Sequence, residues 1–235
     1  MKFDEIAKIV EGVPYISVNR GKVLYDHIIA TKAQNCIELG FAHGVTSCYI
    51  AAALHELGSG MLSCVDLESS IERKPNIEEL LSRAGLESFV SIHREVNSYT
   101  WFLKKDIEKN SENYHCKPTY DFCFIDGPKN WTIDGFAFFL IEKLLVEDGF
   151  VLFDDYLWKY SEYSKDYIDG VSIRNMCSDQ ADTPNIEMVF QLLVMQHPNF
   201  GEFVIDGNWA WAKKCQQEPK TLTIVYGSRQ YSIPL

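Results

Sequence analysis

The chain has 235 residues, 46% of them hydrophobic and 23% charged, which is typical of one ordinary globular domain. The formal net charge of −11 argues against nucleic-acid binding, because recognition of a phosphate backbone requires a basic face. Acidic residues near the first methionine argue against a signal peptide, and no apolar run reaches the roughly 18 residues of a membrane helix. We therefore expect a cytoplasmic protein without a membrane segment.

From residue 35 onward, short apolar runs alternate with longer helical periods, a pattern typical of a mostly parallel sheet flanked by helices. We therefore predict an α/β, doubly wound fold with helices on both faces of the sheet. The predicted elements are the helix Val23–Ala30, the strand Asn35–Leu39, the helix Val45–Leu57, the strand Met61–Leu67, the helix Ile77–Ala84, the strand Phe89–Arg94, the helix Tyr99–Asn110, the strand Tyr120–Asp126, the helix Asp134–Glu147, the strand Gly149–Asp154 and the helix Asn185–Gln196.

The two ends of the chain complete the predicted single domain, 1–235. Residues 1–34 are expected to form an N-terminal helical cover. Strands at Phe203–Asp206 and Trp209–Lys213, joined by a Gly-Asn turn, predict an antiparallel edge. Residues 221–235 predict a C-terminal hairpin that pairs with a sheet edge or with a second subunit, so a homodimer is one expected assembly.

The turn after the first strand contains two glycines, Gly40 and Gly44, which let the backbone approach a bound molecule before the helix begins. Its spacing differs from the GxGxxG of dinucleotide sites, and Glu38 would repel a phosphate. A cationic ligand suits the turn better, and S-adenosylmethionine has a positive amino group and sulfonium. The alternative is a strand–helix connection that binds nothing.

The second predicted strand ends in Asp66 and Leu67, and Asp66 comes 22 residues after Gly44. In doubly wound folds a carboxylate at this place accepts hydrogen bonds from ribose hydroxyls. Asp66 is therefore the predicted ribose ligand, with Leu67 beside the same molecule. His43, next to Gly44, is also expected to touch the cofactor.

Three aspartates follow the next two strands of the predicted sheet. Asp126 ends one strand, and Asp154 and Asp155 end the other; ligands of open α/β sheets bind outside the carboxyl ends of strands. Three clustered anions are unfavourable without a cation, and an all-oxygen set suits a hard metal such as Mg²⁺. The alternative is that each aspartate only stabilises a local turn.

Lys129 lies three residues past Asp126 and is expected over the same cleft. A nearby cation and partial desolvation lower the pKa of an ammonium group toward neutrality, so Lys129 is the predicted general base for a substrate hydroxyl. The alternative is a surface lysine in a loop. Asn130 and Trp131 are weaker substrate candidates, since a turn residue and a core aromatic explain them equally well.

The segment after the last aspartates is rich in aromatic residues and longer than a usual connection, running over residues 156–184. Loops at a catalytic edge commonly form substrate walls, so Tyr156 and Trp158 are weak candidates for substrate contact. Packing of tyrosines over the sheet edge is the equal alternative. No basic stripe accompanies these aromatics, which again disfavours nucleic acid.

Taken together, these motifs resemble those of class I S-adenosylmethionine-dependent methyltransferases. More narrowly, the chain is similar to metal-dependent small-molecule O-methyltransferases of the catechol and caffeoyl-CoA kind, over roughly residues 14–214. The resemblance implies a Rossmann-like, seven-stranded sheet with an antiparallel edge strand. The segments that carry it are Ile37–Gly44, Val65-Asp66, Phe124–Lys129 and Phe153–Trp158.

The resemblance also implies a role for individual residues. Asp126, Asp154 and Asp155 match the metal ligands, with Asp126 also beside the cofactor, and Lys129 matches the lysine proposed as general base. The implied cofactor contacts are Glu38, Gly40 and Thr46 for the methionine part, Asp66 for the ribose, Ser98 for the adenine, and Ile16 and Ser17 as the covering segment.

One departure from the catechol-type pattern concerns the methyl acceptor. Catechol-type enzymes usually have Asp-Asn where this chain has Asp154-Asp155 followed by Tyr156, which is more similar to macrolide and aminocoumarin sugar O-methyltransferases. The expected acceptor is therefore a catechol or a sugar diol. The alternatives are a metal-independent methyltransferase of the same fold, a non-catalytic cofactor-binding homologue, and an NAD-dependent oxidoreductase, which the glycine spacing disfavours.

Overall fold

A computed structural model describes residues 1–163, 167–168, 171–172, 176–215, 221–227 and 229–234. The chain divides into two compact units. The first unit contains Met1–Phe102 and Tyr120–Phe122, and the second contains Leu103–Thr119 and Cys123–Leu235. The expectation of one domain stays a prediction.

The first unit contains a parallel sheet whose strands alternate with helices along the chain. Strand β1 pairs in parallel with β2, and β2 pairs in parallel with β3. Residues 1–34 contain two helices, and their expected role as a cover stays a prediction. The elements are α1 (Phe3–Ile9), α2 (Val18–Thr31), β1 (Asn35–Leu39), α3 (Val45–Leu57), β2 (Met61–Leu67), α4 (Ile77–Ala84), β3 (Val90–Glu95) and the start of α5 (Tyr99–Lys109).

Local signals explain where the helices of the first unit begin and end. Gly44 precedes α3 and Gly58 follows it, both with the positive φ that glycine adopts at low cost. The side chain of Asn76 caps α4 by accepting a hydrogen bond from the Glu79 amide at 3.0 Å. Helix α4 ends at Ala84, and Gly85 follows it with φ of +65°.

The second unit has a mixed sheet. Strand β6 (Tyr120–Ile125) contributes its last three residues to this unit. The further elements are β4 (Ser111–Glu112), β5 (His115–Cys116), α6 (Trp131–Leu144), β7 (Leu145–Phe153), β8 (Tyr167–Ile168), β9 (Val171–Ser172), α7 (Ser178–Asp182), α8 (Asn185–Val189), β10 (Phe200–Asp206), β11 (Trp209–Lys214), β12 (Thr221–Tyr226) and β13 (Arg229–Pro234).

The antiparallel part of this sheet extends beyond the predicted pair of strands. Strand β11 lies antiparallel between β7 and β10, as a closing pair requires. The C-terminal hairpin β12–β13 then continues the sheet, because β12 pairs in parallel with β10. The predicted pairing of the hairpin with a sheet edge is confirmed, and it adds two strands to the expected seven; pairing with a second subunit stays a prediction.

The predicted α/β class is confirmed, but several predicted boundaries were wrong. Helix α6 begins at Trp131 rather than Asp134, because the Asn130 side chain accepts hydrogen bonds from the amides of residues 132 and 133. Strand β7 begins at Leu145, four residues before the predicted Gly149. The predicted helix at Asn185–Gln196 is α-helical only to Val189 and continues as a π-helix over Phe190–Val194.

Among the described residues, no helix is both long enough and apolar enough to cross a bilayer. The cytoplasmic location stays a prediction.

Candidate active site

The glycine turn lies between β1 and α3 in the first unit. The Gly40 amide donates a hydrogen bond to the Val65 carbonyl at 2.8 Å, which ties the turn to β2. Gly44 has φ of +88°, and a Cβ atom added there would lie 2.5 Å from Cγ1 of Ile77 on α4. Packing against α4 is therefore sufficient reason for glycine at position 44, whether or not a ligand approaches the turn.

Asp66, the predicted ribose ligand, holds this turn in shape. Its Oδ2 accepts hydrogen bonds from the amides of Phe41 at 2.9 Å and Ala42 at 2.7 Å, and its Oδ1 accepts one from Leu67 at 2.6 Å. Burial raises the pKa of the Asp66 carboxyl above its usual value, and the three amides oppose that effect. Asp66 therefore organises the turn, and its ribose contact stays a prediction.

Glu38 and Thr46, implied to hold the methionine part, are both buried in the first unit. The Glu38 carboxylate accepts hydrogen bonds from the hydroxyl of Ser47 and, at 3.4 Å, from the thiol of Cys64. Burial and the adjacent Glu38 raise the pKa of the Cys64 thiol well above its usual value. The thiol thus stays protonated and can donate to Glu38.

His43 is held by contacts of its own. Its Nδ1 lies 2.6 Å from the Pro75 carbonyl oxygen, and its ring centre lies 5.6 Å from that of Tyr15. These contacts orient the imidazole within the first unit. Cofactor contact by His43 stays a prediction.

Ser17 and Ser98 each sit at the beginning of a helix. The Ser17 hydroxyl accepts a hydrogen bond from the Arg20 amide at 3.3 Å, which caps α2, and the half-buried Ile16 precedes it. The Ser98 hydroxyl accepts one from the Thr100 amide at 3.1 Å at the start of α5. Helix capping explains both serines locally, and their implied cofactor contacts stay predictions.

The three predicted metal ligands come together in the second unit. Asp126, Asp154 and Asp155 each offer a carboxylate oxygen, and these atoms all lie within 4.8 Å of one another. The Asp154 amide donates to the Ile125 carbonyl at 3.0 Å, which aligns the ends of β6 and β7. An all-oxygen donor set of this size fits a hard divalent cation.

We call Asp126, Asp154 and Asp155 together the acidic cluster. Lys129 places a positive charge beside it. Its Nζ lies 3.3 Å from Oδ1 of Asp126 and 3.3 Å from Oδ2 of Asp155. The side chain is only 15% exposed, so the reading as a solvated surface lysine does not hold. Sequence spacing therefore predicted correctly that Lys129 lies over the aspartates.

The electrostatics of the cluster centre on Asp154. Burial is the largest cause that raises the pKa of its carboxyl well above the usual range, and the charges of Asp126 and Asp155 raise it further. The Asp155 amide, which donates to Oδ1 of Asp154 at 2.7 Å, and the Lys129 ammonium act in the opposite direction. A cation placed here would stabilise the ionised form of Asp154.

A family profile described as "Methyltransferase domain" matches residues 37–156, more than half of the chain. The chain belongs to this methyltransferase family. The resemblance to class I S-adenosylmethionine-dependent methyltransferases is thereby confirmed. Among curated proteins, none matches the chain significantly.

Solved structures of other methyltransferases have the same fold. An O-methyltransferase from Bacillus cereus in complex with SAH is 18% identical, with 90% of each chain covered and a TM-score of 0.62. TomG, an O-methyltransferase from Streptomyces achromogenes involved in tomaymycin synthesis and solved with SAM, is 16% identical, with 91% of this chain and 89% of that chain covered and a TM-score of 0.61. The Rossmann-like fold implied by the motifs is confirmed.

Two residues of this methyltransferase contact the cluster or the loop that carries Lys129, and neither contact was predicted from the sequence. The Tyr160 hydroxyl donates to the Pro128 carbonyl at 2.5 Å, which ties the segment after β7 to the loop that carries Lys129. Asn208 donates its side-chain amide to Oδ1 of Asp155 at 2.9 Å. Position 208 was recognised only as a turn residue, because its distance of 53 residues from Asp155 leaves no local signal.

The weak substrate candidates of the methyltransferase fall into two groups. Asn130 is buried and caps α6, and Tyr156 is buried against Phe190, so helix capping and packing explain them. Trp131 is 38% exposed at the start of α6, and Trp158 stacks on Tyr163 with ring centres 4.9 Å apart. The predicted insertion 156–184 lies partly outside the described residues.

Proposed function

We propose that this protein transfers a methyl group from S-adenosylmethionine to a hydroxyl oxygen of a small molecule in a reaction that requires a divalent metal ion. The observation that carries the proposal is the acidic cluster with Lys129 beside it. Three converging carboxylates suit Mg²⁺ or another hard cation, and a partly buried lysine next to them suits proton removal. Family membership supports the methyl-transfer chemistry.

The choice of cofactor is supported by the first unit. Two structures of similar fold were solved with SAM or SAH, and the glycine turn with its buried Glu38 suits a cationic ligand better than a phosphate. Glu38, Gly40 and Thr46 would hold the methionine part and Asp66 the ribose. S-adenosylmethionine supplies an electrophilic methyl group when bound.

The acidic cluster and Lys129 would have separate roles toward the acceptor hydroxyl. Asp126, Asp154 and Asp155 would hold the metal, which when bound acts as a Lewis acid and lowers the pKa of an acceptor hydroxyl. Lys129, in its neutral form, takes the hydroxyl proton. The resulting ammonium then lies beside the carboxylates of Asp126 and Asp155, where opposite charge stabilises it.

The acceptor class follows from the chelation that such a metal favours. Two adjacent hydroxyls bind one cation better than a single hydroxyl, because the second oxygen binds without further loss of freedom. We therefore expect a catechol or a sugar diol. The net charge of −11 supports a small neutral acceptor over nucleic acid.

A metal-independent methyltransferase is the second candidate. The specific observation in its favour is that the Lys129 ammonium already lies 3.3 Å from carboxylate oxygens of Asp126 and Asp155. In that case the Lys129 ammonium would permanently offset part of the negative charge of the cluster, and the aspartates would serve the structure. The two candidates predict opposite responses to a chelator.

The test is methyl transfer from S-adenosylmethionine to a panel of catechols and sugar diols, before and after treatment with EDTA. We expect activity to disappear with EDTA and to return with Mg²⁺. Lys129→Met should lower kcat by about 100-fold, the usual effect of losing a general base. Lys143→Met, an exposed lysine on α6, is the matched control and should retain activity.

Each contrary outcome points to a different reading. Transfer that withstands EDTA would support the metal-independent enzyme. Full activity of Lys129→Met would exclude Lys129 as the base. Binding of S-adenosylmethionine is measured by calorimetric titration, with NAD as negative control. If S-adenosylmethionine does not bind, the whole proposal is wrong.

A further inference from the structure

Asn208 lies in the two-residue turn between β10 and β11, opposite the end of β7. Asp206 and Trp209 form the last paired residues of the two strands. Gly207 has φ of +59°, as expected where a tight turn must follow the twist of its strands. The strand pair thus holds the Asn208 backbone in a defined position.

Three hydrogen bonds connect Asn208 with the segment that begins at Asp155. Its side-chain amide nitrogen donates to Oδ1 of Asp155 at 2.9 Å, and its side-chain oxygen accepts from the Leu157 amide at 2.8 Å. Its main-chain oxygen accepts from the Tyr156 amide at 2.9 Å. One residue therefore contacts three successive residues, which exceeds what a turn requires.

These contacts hold Asp155 in an unusual conformation. Asp155 has φ of +56°, a region that residues other than glycine seldom adopt and that costs about 1 kcal/mol or more. Since Asn208 also occupies Oδ1, the other oxygen, Oδ2, is the one that lies 3.3 Å from the Lys129 ammonium. The two oxygens of Asp155 thus have separate partners.

We propose that Asn208 is a positioning residue that orients the Asp155 carboxylate for metal binding. The inference rests on the proposed function, because it assigns Asn208 a role toward the metal held by the acidic cluster. Hydrogen bonds to a ligating carboxylate fix its orientation before the metal arrives, and their loss typically costs 10–100-fold in affinity. Asn208 leaves Oδ2 of Asp155 free of this hydrogen bond, on the side of the Lys129 ammonium.

The experiment compares Asn208→Ala with Asn199→Ala. Asn199 is a matched control, because its side-chain amide also donates to a carboxylate, that of Glu142, at 3.1 Å. The dissociation constant of Mn²⁺ is measured by calorimetry, together with that of S-adenosylmethionine and the melting temperature without metal. We expect Asn208→Ala to weaken Mn²⁺ binding by about 10-fold or more and Asn199→Ala to leave it unchanged. Binding of S-adenosylmethionine should be unchanged in both.

A second variant separates orientation from folding. Asn208→Ser keeps a small polar side chain, but it is too short to retain both side-chain contacts. It should also bind Mn²⁺ more weakly while the protein stays folded. If both variants fail to fold, or if folded variants bind Mn²⁺ as tightly as the wild type, Asn208 has a purely structural role and the inference is wrong. Absence of Mn²⁺ binding in the wild type would instead overturn the metal dependence itself.

Discussion

Asp66 and Asp154 both stand at the carboxyl end of a strand, yet their surroundings differ in charge. Asp66 accepts hydrogen bonds from three backbone amides, which lower the pKa that burial has raised. Asp154 has two aspartates as neighbours, and their charges raise its pKa further. An aspartate whose charge is stabilised by backbone amides shapes a turn, whereas one surrounded by like charges favours binding of a cation.

Replacement of Asp154 should produce the largest effect on metal binding. Asp154→Asn keeps the shape of the side chain but removes one anionic ligand, so we expect Mg²⁺ binding to weaken by at least about 100-fold. Calorimetric titration of Mg²⁺ measures this loss. Equal Mg²⁺ affinity in wild type and variant would mean that the cluster is not the metal site.

The same replacement should also change how the unfolding free energy of the metal-free protein depends on pH. A carboxyl with a raised pKa in the folded state makes the unfolding free energy of the wild type fall as pH rises from about 4 toward neutrality. Asp154→Asn removes this contribution, so the variant should be at least as stable as the wild type at pH 7. Urea unfolding in EDTA at pH 5 and pH 7 tests the direction.

Replacements in the glycine turn should lower the stability of the protein, in contrast to the Asp154 replacement, which should mainly weaken metal binding. Gly44→Ala combines a positive φ with a Cβ atom 2.5 Å from Ile77, and we expect a loss of about 4 kcal/mol. Gly58→Ala is the matched control, since Gly58 has φ of +78° with open space around it, and should lose about 1 kcal/mol. Equal losses in urea unfolding would show that contact with α4 does not explain Gly44.

Asp66→Ala should destabilise the protein less than Gly44→Ala, and it is the direct counterpart of the Asp154 replacement. It leaves the amides of Phe41, Ala42 and Leu67 without this acceptor, at a cost of about 2 kcal/mol. Mg²⁺ affinity should not change, because Asp66 is not part of the acidic cluster. A variant as stable as the wild type would contradict the organising role of Asp66 in the turn.

Much of the fold could be predicted because its signals are local. The bounds of β1, α3, β2 and α4 agree with the prediction, since glycines and a capping asparagine mark the helix ends in the sequence itself. The prediction missed the early start of β7 and the π-helix that follows α8, because no local sequence signal marks either of them. Spacing after β6 and β7 was enough to place Lys129 and the three aspartates together, because parallel strands end at the same edge.

Hydrophobic periodicity, turn residues and acidic strand ends were sufficient to indicate an α/β fold with a cluster of three aspartates, and the resemblance of the motifs to a known family implied a methyltransferase. Tertiary structure alone showed that Gly44 packs on Ile77, that Asp66 binds the amides of its own turn, and that Asn208 holds Asp155. Each of these contacts joins residues that lie more than 20 positions apart. Periodicity reports which face of an element is buried, but a side-chain hydrogen bond depends on atomic positions that only the folded chain defines.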